Sequence, residues 1–374
     1  MALATMEEPK SKGLPISGLD WLAIFVPISV VINYTPALHN KLALFVCSCL
    51  ALVALSAWIG RATEHLAVSV GATIGGLLNA TFGNLPEIIF GLIALRGGLT
   101  DLVKASMTGA IIGNMLLVLG HAMTAGGLRY KTQFFDRDRA SDAATSLIIA
   151  AIALLLPTVY QTVASQSPAG WSQQTEEYLS LWLAALIFVA YVSSLIFTLT
   201  NNTEMSEAQA AEQSELVGAT WSTAKACTVL AIASILLAIT SDYVADTVEV
   251  VKQAFGLTEL FLGVIVVATI GNVSAQSTAV SVALKNDMEL SFAVAINASV
   301  QVALMVTPLL VLASPLLGKP MTLHFTIPET VAVAASVLLT TQICSDGKSH
   351  WLNGVQLLVL YGIIAVLFFY LPAS

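Results

Sequence analysis

The chain has 374 residues, of which 57% are apolar and only 10% are charged, and its formal net charge is −8 at pH 7. Soluble domains carry about 25% charged residues, so this composition excludes an ordinary soluble protein. No basic patch accompanies the negative charge, which excludes a nucleic acid partner and leaves membrane lipid as the expected surroundings.

Apolar runs long enough to cross a bilayer recur along the whole chain. They predict an all-α polytopic membrane protein with about eleven transmembrane helices. The expected spans are residues 19–34, 41–60, 71–96, 102–125, 142–159, 179–199, 225–241, 257–284, 289–314, 327–343 and 354–371.

The positions of Lys and Arg predict the orientation. With eleven spans, ten basic residues fall on the side of the N-terminus and five on the opposite side. Cytoplasmic loops carry the excess of basic residues, so the N-terminus is expected in the cytoplasm. The short N-terminus and short loops favour a prokaryotic inner membrane, and an organelle membrane is also compatible.

Two of the apolar runs contain residues that interrupt a helix. The first interruption is Asn-Ala-Thr-Phe-Gly-Asn-Leu-Pro-Glu (79–87), and the second is Ala-Thr-Ile-Gly-Asn-Val-Ser-Ala-Gln-Ser-Thr (268–278). Pro86 removes a backbone N–H donor, and the glycines allow two backbones to approach closely. Glu87 places a carboxylate inside a span at a cost of roughly 3 kcal/mol, which favours a functional role.

The two interruptions define an internal repeat. Gly83-Asn84 aligns with Gly271-Asn272 at an offset of 188 residues. Each copy then contains five spans, and since five is odd, the second copy is inverted in the membrane. The predicted organisation is an N-terminal cytoplasmic tail (1–18), a leading helix (19–40), a first five-helix repeat (41–199), an acidic cytoplasmic linker (200–224) and a second, inverted repeat (225–374).

The motifs resemble those of the calcium/proton exchanger family of the calcium/cation antiporter superfamily. The first signature reads Gly-Gly-Leu-Leu-Asn-Ala-Thr-Phe-Gly-Asn-Leu-Pro-Glu (75–87), and Gly-Gly-Leu-Arg-Tyr-Lys-Thr-Gln (126–133) follows the next span. Gly-Val-Ile-Val-Val (263–267) with Gly271-Asn272 looks like the second signature. The resemblance implies a central cation site between the two broken helices and the exchange of cytoplasmic Ca²⁺ for protons by alternating access.

The chain departs from the family pattern in the second repeat. The usual Gly-Asn-Ala-Ala-Glu-His is here Gly-Asn-Val-Ser-Ala-Gln, so that Ala275 and Gln276 stand where the family has Glu and His. Ca²⁺ prefers about 6–8 oxygen ligands, with carboxylates to neutralise it. Three alternatives remain open: another acid supplies the charge (Glu64, Asp242, Asp246 or Glu249), the site suits a monovalent or other cation, or transport is impaired.

The resemblance and the residue types together select the candidate site residues. The expected cation-binding and proton-coupling set shares oxygen-bearing side chains at or near the two interruptions: Glu87, Asn84, Asn272, Gln276, Asn114, Ser299 and Gln301. Among these, Glu87 is the expected metal ligand. The four neutral amides of Asn84, Asn272, Asn114 and Gln301 are expected to face one cavity.

A second set is expected to form the access path, because it carries titratable groups at predicted span ends. Glu64 and His65 lie between the second and third spans, and Asp242 and Asp246 follow the seventh. An ordinary interfacial acid at a helix end is an equally good interpretation. The chain contains no HExxH motif, no paired-Asp motif and no Ser-His pair, so neither an enzyme nor a bound cofactor is expected, with Ca²⁺ and H⁺ as the transported partners.

Overall fold

The computed structural model describes residues 18–36, 40–164, 172–201 and 221–371. Residues 1–17 of the predicted N-terminal tail and most of the predicted acidic linker lie outside these residues. Within them the protein is almost entirely helical.

The described residues of the first half form eight α-helices and one short strand. The leading element is a 3₁₀ turn (Asp20–Ile24) that continues into α1 (Phe25–Tyr34). Next come α2 (Lys41–Val70), α3 (Ala72–Phe82), α4 (Leu85–Arg96), α5 (Thr100–Ile112), a π-helical segment (Gly113–Val118), α6 (Leu119–Tyr130), β1 (Thr132–Phe134), α7 (Arg137–Ala164) and α8 (Gln173–Asn201).

The second half resembles the first, but it has two π-helical segments, and its strand lies between the last two helices. It contains α9 (Thr223–Phe255), α10 (Glu259–Phe261), a π segment (Leu262–Val267), α11 (Ala268–Gly271), α12 (Val273–Ala283), α13 (Met288–Gln301), a π segment (Val302–Val306), α14 (Thr307–Ala313), a 3₁₀ turn (Ser314–Leu317), α15 (Ile327–Cys344), β2 (Lys348–His350) and α16 (Trp351–Phe369). β1 and β2 form an antiparallel pair in which Gln133 lies opposite Ser349.

Length and composition alone give fewer spans than the sequence predicts. The described residues contain eight helices that are long and apolar enough to cross a membrane, or nine if the bent pair Glu259–Gly271 and Val273–Ala283 is one span. The leading element is short, and the third predicted span is divided between α3 and α4. The predicted count of eleven is therefore not confirmed, although every predicted span coincides with helical structure.

Two predicted boundaries are wrong. The second span was expected to end at residue 60 and the seventh at residue 241, but α2 continues to Val70 and α9 to Phe255. Polar residues at both ends led to the early boundaries. An α-helix satisfies its own backbone groups wherever it runs, and it tolerates charged side chains that find partners or water.

The ends of several helices follow from local sequence. Asn40 accepts hydrogen bonds from the backbone of Leu42 and Ala43 at the start of α2. Thr326 and Glu329 form a capping box at the start of α15. Gly256 adopts a left-handed conformation, φ +67°, immediately after α9, where a residue with a Cβ would be strained.

The two halves pack into each other and form one bundle. α2 lies along α9, α5 packs against the π segment Leu262–Val267, α6 packs on α16, and α7 packs on α15. The continuous helical stretch Thr100–Tyr130 is the centre of the bundle, with 89% of its most apolar window buried, whereas the corresponding figure for Gln173–Phe197 is 11%. The centre therefore combines span four of the first half with the broken helices of both halves.

Candidate cation site

The two Gly-Asn pairs coincide with the two helix breaks. α3 ends before Gly83, and Asn84 (φ −105°, ψ 19°) precedes α4, whose first turn contains Pro86. In the second half, Asn272 (φ −77°, ψ 0°) separates α11 from α12, and the chain bends there by 56°. The breaks lie 188 residues apart, as the predicted repeat requires.

Glu87 projects from the first turn of α4 towards the second break. A Cβ built on Gly271 would lie 3.1 Å from Glu87 Oε1, so the absence of a side chain at 271 makes room for the carboxylate. Glu87 Oε2 is buried and has no hydrogen-bond partner in the structure. An unsatisfied carboxylate oxygen at this depth is costly, and a proton or a cation would satisfy it.

A small cavity adjoins this carboxylate. Its volume is about 30 Å³, and its lining includes Glu87, Gly271 and the hydroxyl-bearing Ser56 and Ser106 among otherwise mainly apolar side chains. One water needs a volume of roughly 10–15 Å³ on the same measure, so the cavity has room for a water or an ion. Both broken helices contribute to its wall.

The second break brings no carboxylate to this place. Ala275 stands 188 residues after Glu87 and occupies the matching position in the first turn of α12. Among the described residues, no group of three or more His, Cys, Asp or Glu side chains is arranged to hold a metal ion. The candidate site therefore offers one carboxylate together with neutral oxygens.

The predicted amides do not all share one cavity. Asn84 Nδ2 donates to Gln301 Oε1 at 2.6 Å, which joins the first break to the end of α13. Asn272 Nδ2 donates instead to the backbone oxygen of Ala110 in α5 at 3.2 Å. The buried Asn114 Oδ1 has no hydrogen-bond partner in the structure. Of the seven predicted site residues, all of them described, Glu87 is the one that lines the cavity beside Gly271.

Ser299 and Gln301 lie in the last turn of α13, directly before the π segment Val302–Val306. Ser299 Oγ is fully buried and lies 3.3 Å from the backbone oxygen of Ile111 in α5. The corresponding π segment of the first half, Gly113–Val118, contains Asn114. Segments with i→i+5 hydrogen bonds are frequent at functional sites, and here one contains Asn114 and another begins directly after Gln301.

The remaining polar residues of α12 face two other helices. Gln276 Nε2 lies 3.1 Å from His121 Nδ1 of α6. Thr278 Oγ1 donates to Glu64 Oε1 of α2 at 3.3 Å. A Cβ at Gly60 would lie 2.0 Å from Ser274 Oγ, so α2 and α12 approach each other at a glycine. The second break thus lies within reach of α2 and α6 as well as α4.

The four residues of the predicted access path occupy different places from those expected. Glu64 and His65 do not lie between helices; they belong to α2, and Asp242 and Asp246 belong to α9. The expectation of loop positions was wrong because these polar groups are accommodated in continuing helices.

The same four residues fall into two groups that are far apart. His65 Nδ1 accepts the backbone N–H of Trp221 at 3.3 Å, close to the end of α2. Asp246 interacts with Lys41 at the start of α2, and both Asp242 and Asp246 are exposed. Since α2 has 30 residues and rises about 1.5 Å per residue, some 45 Å separate its ends. The two groups cannot form a single path on one face.

Sequence reasoning missed a buried acid, Glu329. Its side chain is 2% exposed, and Oε1 accepts the hydroxyl of Thr108 in α5 at 2.9 Å. Oε2 accepts both the backbone N–H and the hydroxyl of Thr326, at 2.8 and 2.7 Å. The spacing Thr-x-x-Glu before an apolar run is the capping-box pattern, which could have identified this residue.

A bundle of apolar helices with two breaks meeting at a buried carboxylate defines a multi-pass integral membrane transporter. Irregular backbone at such depth persists where protein or a polar cavity surrounds it, and this is the layout of secondary transporters. The chain belongs to the sodium/calcium exchanger protein family, whose model matches residues 40–200 and 225–370.

Individual relatives confirm the resemblance indicated by the two signatures. The Ca(2+)/H(+) antiporter of Aphanothece halophytica is 40% identical over 365 residues, which cover 94% of this chain and 96% of the relative. The Ca(2+)/H(+) antiporter ChaA of Bacillus subtilis is 38% identical, with 94% and 98% covered. The solved structure of native YfkE superposes with a TM-score of 0.81 at 35% identity and covers 95% of this chain and all of its own.

Proposed function

We propose that the protein is a secondary active Ca²⁺/H⁺ antiporter that exchanges cytoplasmic Ca²⁺ for protons by alternating access around Glu87. The observation that carries the proposal is the buried, unpartnered Oε2 of Glu87 beside Gly271, where the two broken helices meet. Relatives that are 38–40% identical over 94% of the chain are named Ca(2+)/H(+) antiporters.

The coupling follows from competition for one carboxylate. Glu87 binds either a proton or a cation, because a proton on the carboxylate removes the charge and one of the oxygens that the cation needs. A proton neutralises the carboxylate and a cation coordinates its oxygens, whereas the empty form buries a charge with an oxygen that has no partner. The protein therefore changes between its two access states only while the site holds a proton or a cation. Transport of one ion is thereby coupled to transport of the other.

The neutral residues supply further oxygens for the cation and shape the breaks. Asn84 and Gln301 hold the two halves together at 2.6 Å, while Ser56 and Ser106 face the cavity. Asn272, Asn114, Ser299 and Gln276 lie on the surrounding helices and complete the proposed polar shell.

The proposed orientation has the N-terminus in the cytoplasm, because the basic residues are in excess on its side.

The access path is proposed to have two ends. Glu64 and His65 lie near the end of α2, which places them at the cytoplasmic mouth in this orientation. Asp242 and Asp246 lie near the start of α2 and belong to the opposite mouth. Eight residues separate Ser56, at the cavity, from Glu64, so Glu64 lies about 12 Å from the cavity along the helix axis.

One observation supports a second candidate function. A single carboxylate leaves a divalent cation with uncompensated charge, whereas it balances a monovalent cation fully. Ala275 thus favours, as the alternative, an antiporter for another cation or a variant with weakened Ca²⁺ exchange.

The test is exchange by purified protein in proteoliposomes that contain a pH-sensitive dye. Addition of Ca²⁺ should drive proton movement by the wild type. Glu87→Gln should abolish it, since the amide neither takes up and releases a proton nor carries a charge. Glu177→Gln is the matched control, because Glu177 pairs with Gln173 at the start of α8, outside the candidate site.

The same preparation separates the alternatives. Wild-type rates of Ca²⁺/H⁺ exchange in Glu87→Gln would show that Glu87 is not the coupling residue. If the wild type moves no protons on addition of Ca²⁺ but does so on addition of Na⁺, K⁺ or Mn²⁺, the transported cation is not Ca²⁺.

A further inference from the structure

The leading element packs along α2, and the carboxylate of Asp20 joins the two by hydrogen bonds and an ion pair. Asp20 accepts a hydrogen bond from Trp58 Nε1 at 2.9 Å and from Arg61 Nη1 at 3.2 Å, and it also forms an ion pair with Arg61 Nη2. Asp20 stands where the leading element begins and Arg61 stands in the last third of α2, so the two elements run antiparallel. Asp20 lies outside the residues matched by the family model, which begin at 40.

Arg61 has a second acid within reach. Glu64 follows it by three residues on the same helix, and residues at this spacing are neighbours on the helix surface, with Cβ atoms roughly 5–6 Å apart. In the structure, however, Glu64 Oε1 accepts Thr278 Oγ1 of α12. The guanidinium is turned to Asp20, and its buried Nε has no hydrogen-bond partner.

Because the site is partly buried, it matters energetically whether Arg61 pairs with Asp20 or with Glu64. The Arg61 side chain is 18% exposed and Asp20 is 41% exposed. An ion pair in such partly buried surroundings is screened less than one on the surface. A guanidinium that lost Asp20 would be left with an uncompensated charge, and Glu64 is the acid one turn away that would compensate it.

We propose that Asp20 is a positioning residue: it holds the Arg61 guanidinium away from Glu64 and so keeps the Glu64 carboxylate available to the entering cation. This inference rests on the proposed function, in which Glu64 belongs to the cytoplasmic access path. It assigns the leading helix, which lies outside the two repeats, an electrostatic part in cation entry. Without Asp20, Arg61 pairs with Glu64 and competes with the cation at the mouth.

The test compares Ca²⁺ dependence in proteoliposomes for D20N, D20E, R61Q and D20N/R61Q. D20N should raise the KM for Ca²⁺ about tenfold, equivalent to about 1.4 kcal/mol, with Vmax retained. D20E keeps the charge and should stay near the wild type. D20N/R61Q should return to the KM of R61Q, because the competing guanidinium is absent.

The rescue distinguishes positioning from simple anchoring. If Asp20 merely fastens the leading helix, removing Arg61 as well cannot restore transport, and a double variant as impaired as D20N would overturn the proposal. An unchanged KM in D20N would overturn it equally. Should D20N fail to fold, D20N/R61Q is compared with R61Q alone. Equal KM values for Ca²⁺ support the proposal, and a KM that is higher in the double variant contradicts it.

Failure of the proposed function is recognised separately. It would appear as a wild type without Ca²⁺/H⁺ exchange, whereas failure of this inference leaves the wild type and Glu87→Gln behaving as expected and alters only the Asp20 series.

Discussion

Substitution of Gly271 by alanine probes the candidate site with a single methyl group. The added Cβ would lie 3.1 Å from Oε1, 3.5 Å from Cδ and 3.6 Å from Cγ of Glu87. Gly271 does not have a positive φ, so alanine adopts the same backbone and the new contact is the main perturbation. Ca²⁺ binds carboxylate oxygens at about 2.3–2.6 Å, so the methyl group occupies space on the approach to Oε1.

The magnitude follows from what the carboxylate must do to avoid the methyl group. A displacement of a few tenths of an ångström forces the Glu87 side chain off its preferred rotamer, at a cost of about 0.5–1.5 kcal/mol. This corresponds to an increase of about two- to thirteenfold in the KM for Ca²⁺. Thermal stability should change little, because the helix preference of alanine over glycine, about 1 kcal/mol, offsets a strain of similar size.

The assay is Ca²⁺-driven proton movement in proteoliposomes across a range of Ca²⁺ concentrations. Gly362→Ala in α16 is the matched control, since no atom lies within 4 Å of a Cβ at that position. An unchanged KM in Gly271→Ala would refute the placement of the cation between Glu87 and the second break.

Two further substitutions test the surroundings of the site. Ala275→Glu places a carboxylate at the position matching Glu87. The KM for Ca²⁺ measured in proteoliposomes should fall about tenfold, because two carboxylates neutralise a divalent ion. An unchanged KM would count against the explanation that the single carboxylate weakens Ca²⁺ binding. Glu329→Ala removes one half of the capping box at the start of α15 and leaves the backbone N–H of Thr326 without its acceptor, at a cost of about 1 kcal/mol. Its Tm in detergent should fall, and by more than that of Glu329→Gln; equal Tm values for Glu329→Ala and the wild type would contradict a structural role.

The sequence predicts the helical elements well because hydrophobic length is the dominant signal in a membrane protein. Both breaks were located at the correct dipeptides, Gly83-Asn84 and Gly271-Asn272, since glycine and asparagine interrupt plain apolar sequence. The ends of α2 and α9 were not found. Hydropathy treats Arg61 and Glu64 as the end of a span, whereas their partners, Asp20 and Thr278, come from distant parts of the chain.

The candidate site was predicted only in part, for a related reason. Glu87 stands out as a lone acid in an apolar run, and its position beside Gly271 agrees with the expected meeting of the two halves. The pairing of Asn84 with Gln301, and the separate attachment of Asn272 to Ala110, depend on side-chain packing between segments far apart in sequence. Glu329 does not stand out in the sequence because it lies at the start of a predicted span, where hydropathy does not distinguish a buried capping acid from an interfacial one.

The hydrogen bond between Asn84 and Gln301 also bears on how the protein is made. Its two partners are 217 residues apart, and a ribosome adding about 5–20 residues per second needs roughly 10–40 s to cover that distance. Throughout that interval the first broken helix exists without Gln301, and its Asn84 amide must rely on water, lipid headgroups or insertion machinery. Completion of the chain therefore completes the polar interior as well, and a nascent chain truncated before Gln301 would contain the first break without its partner.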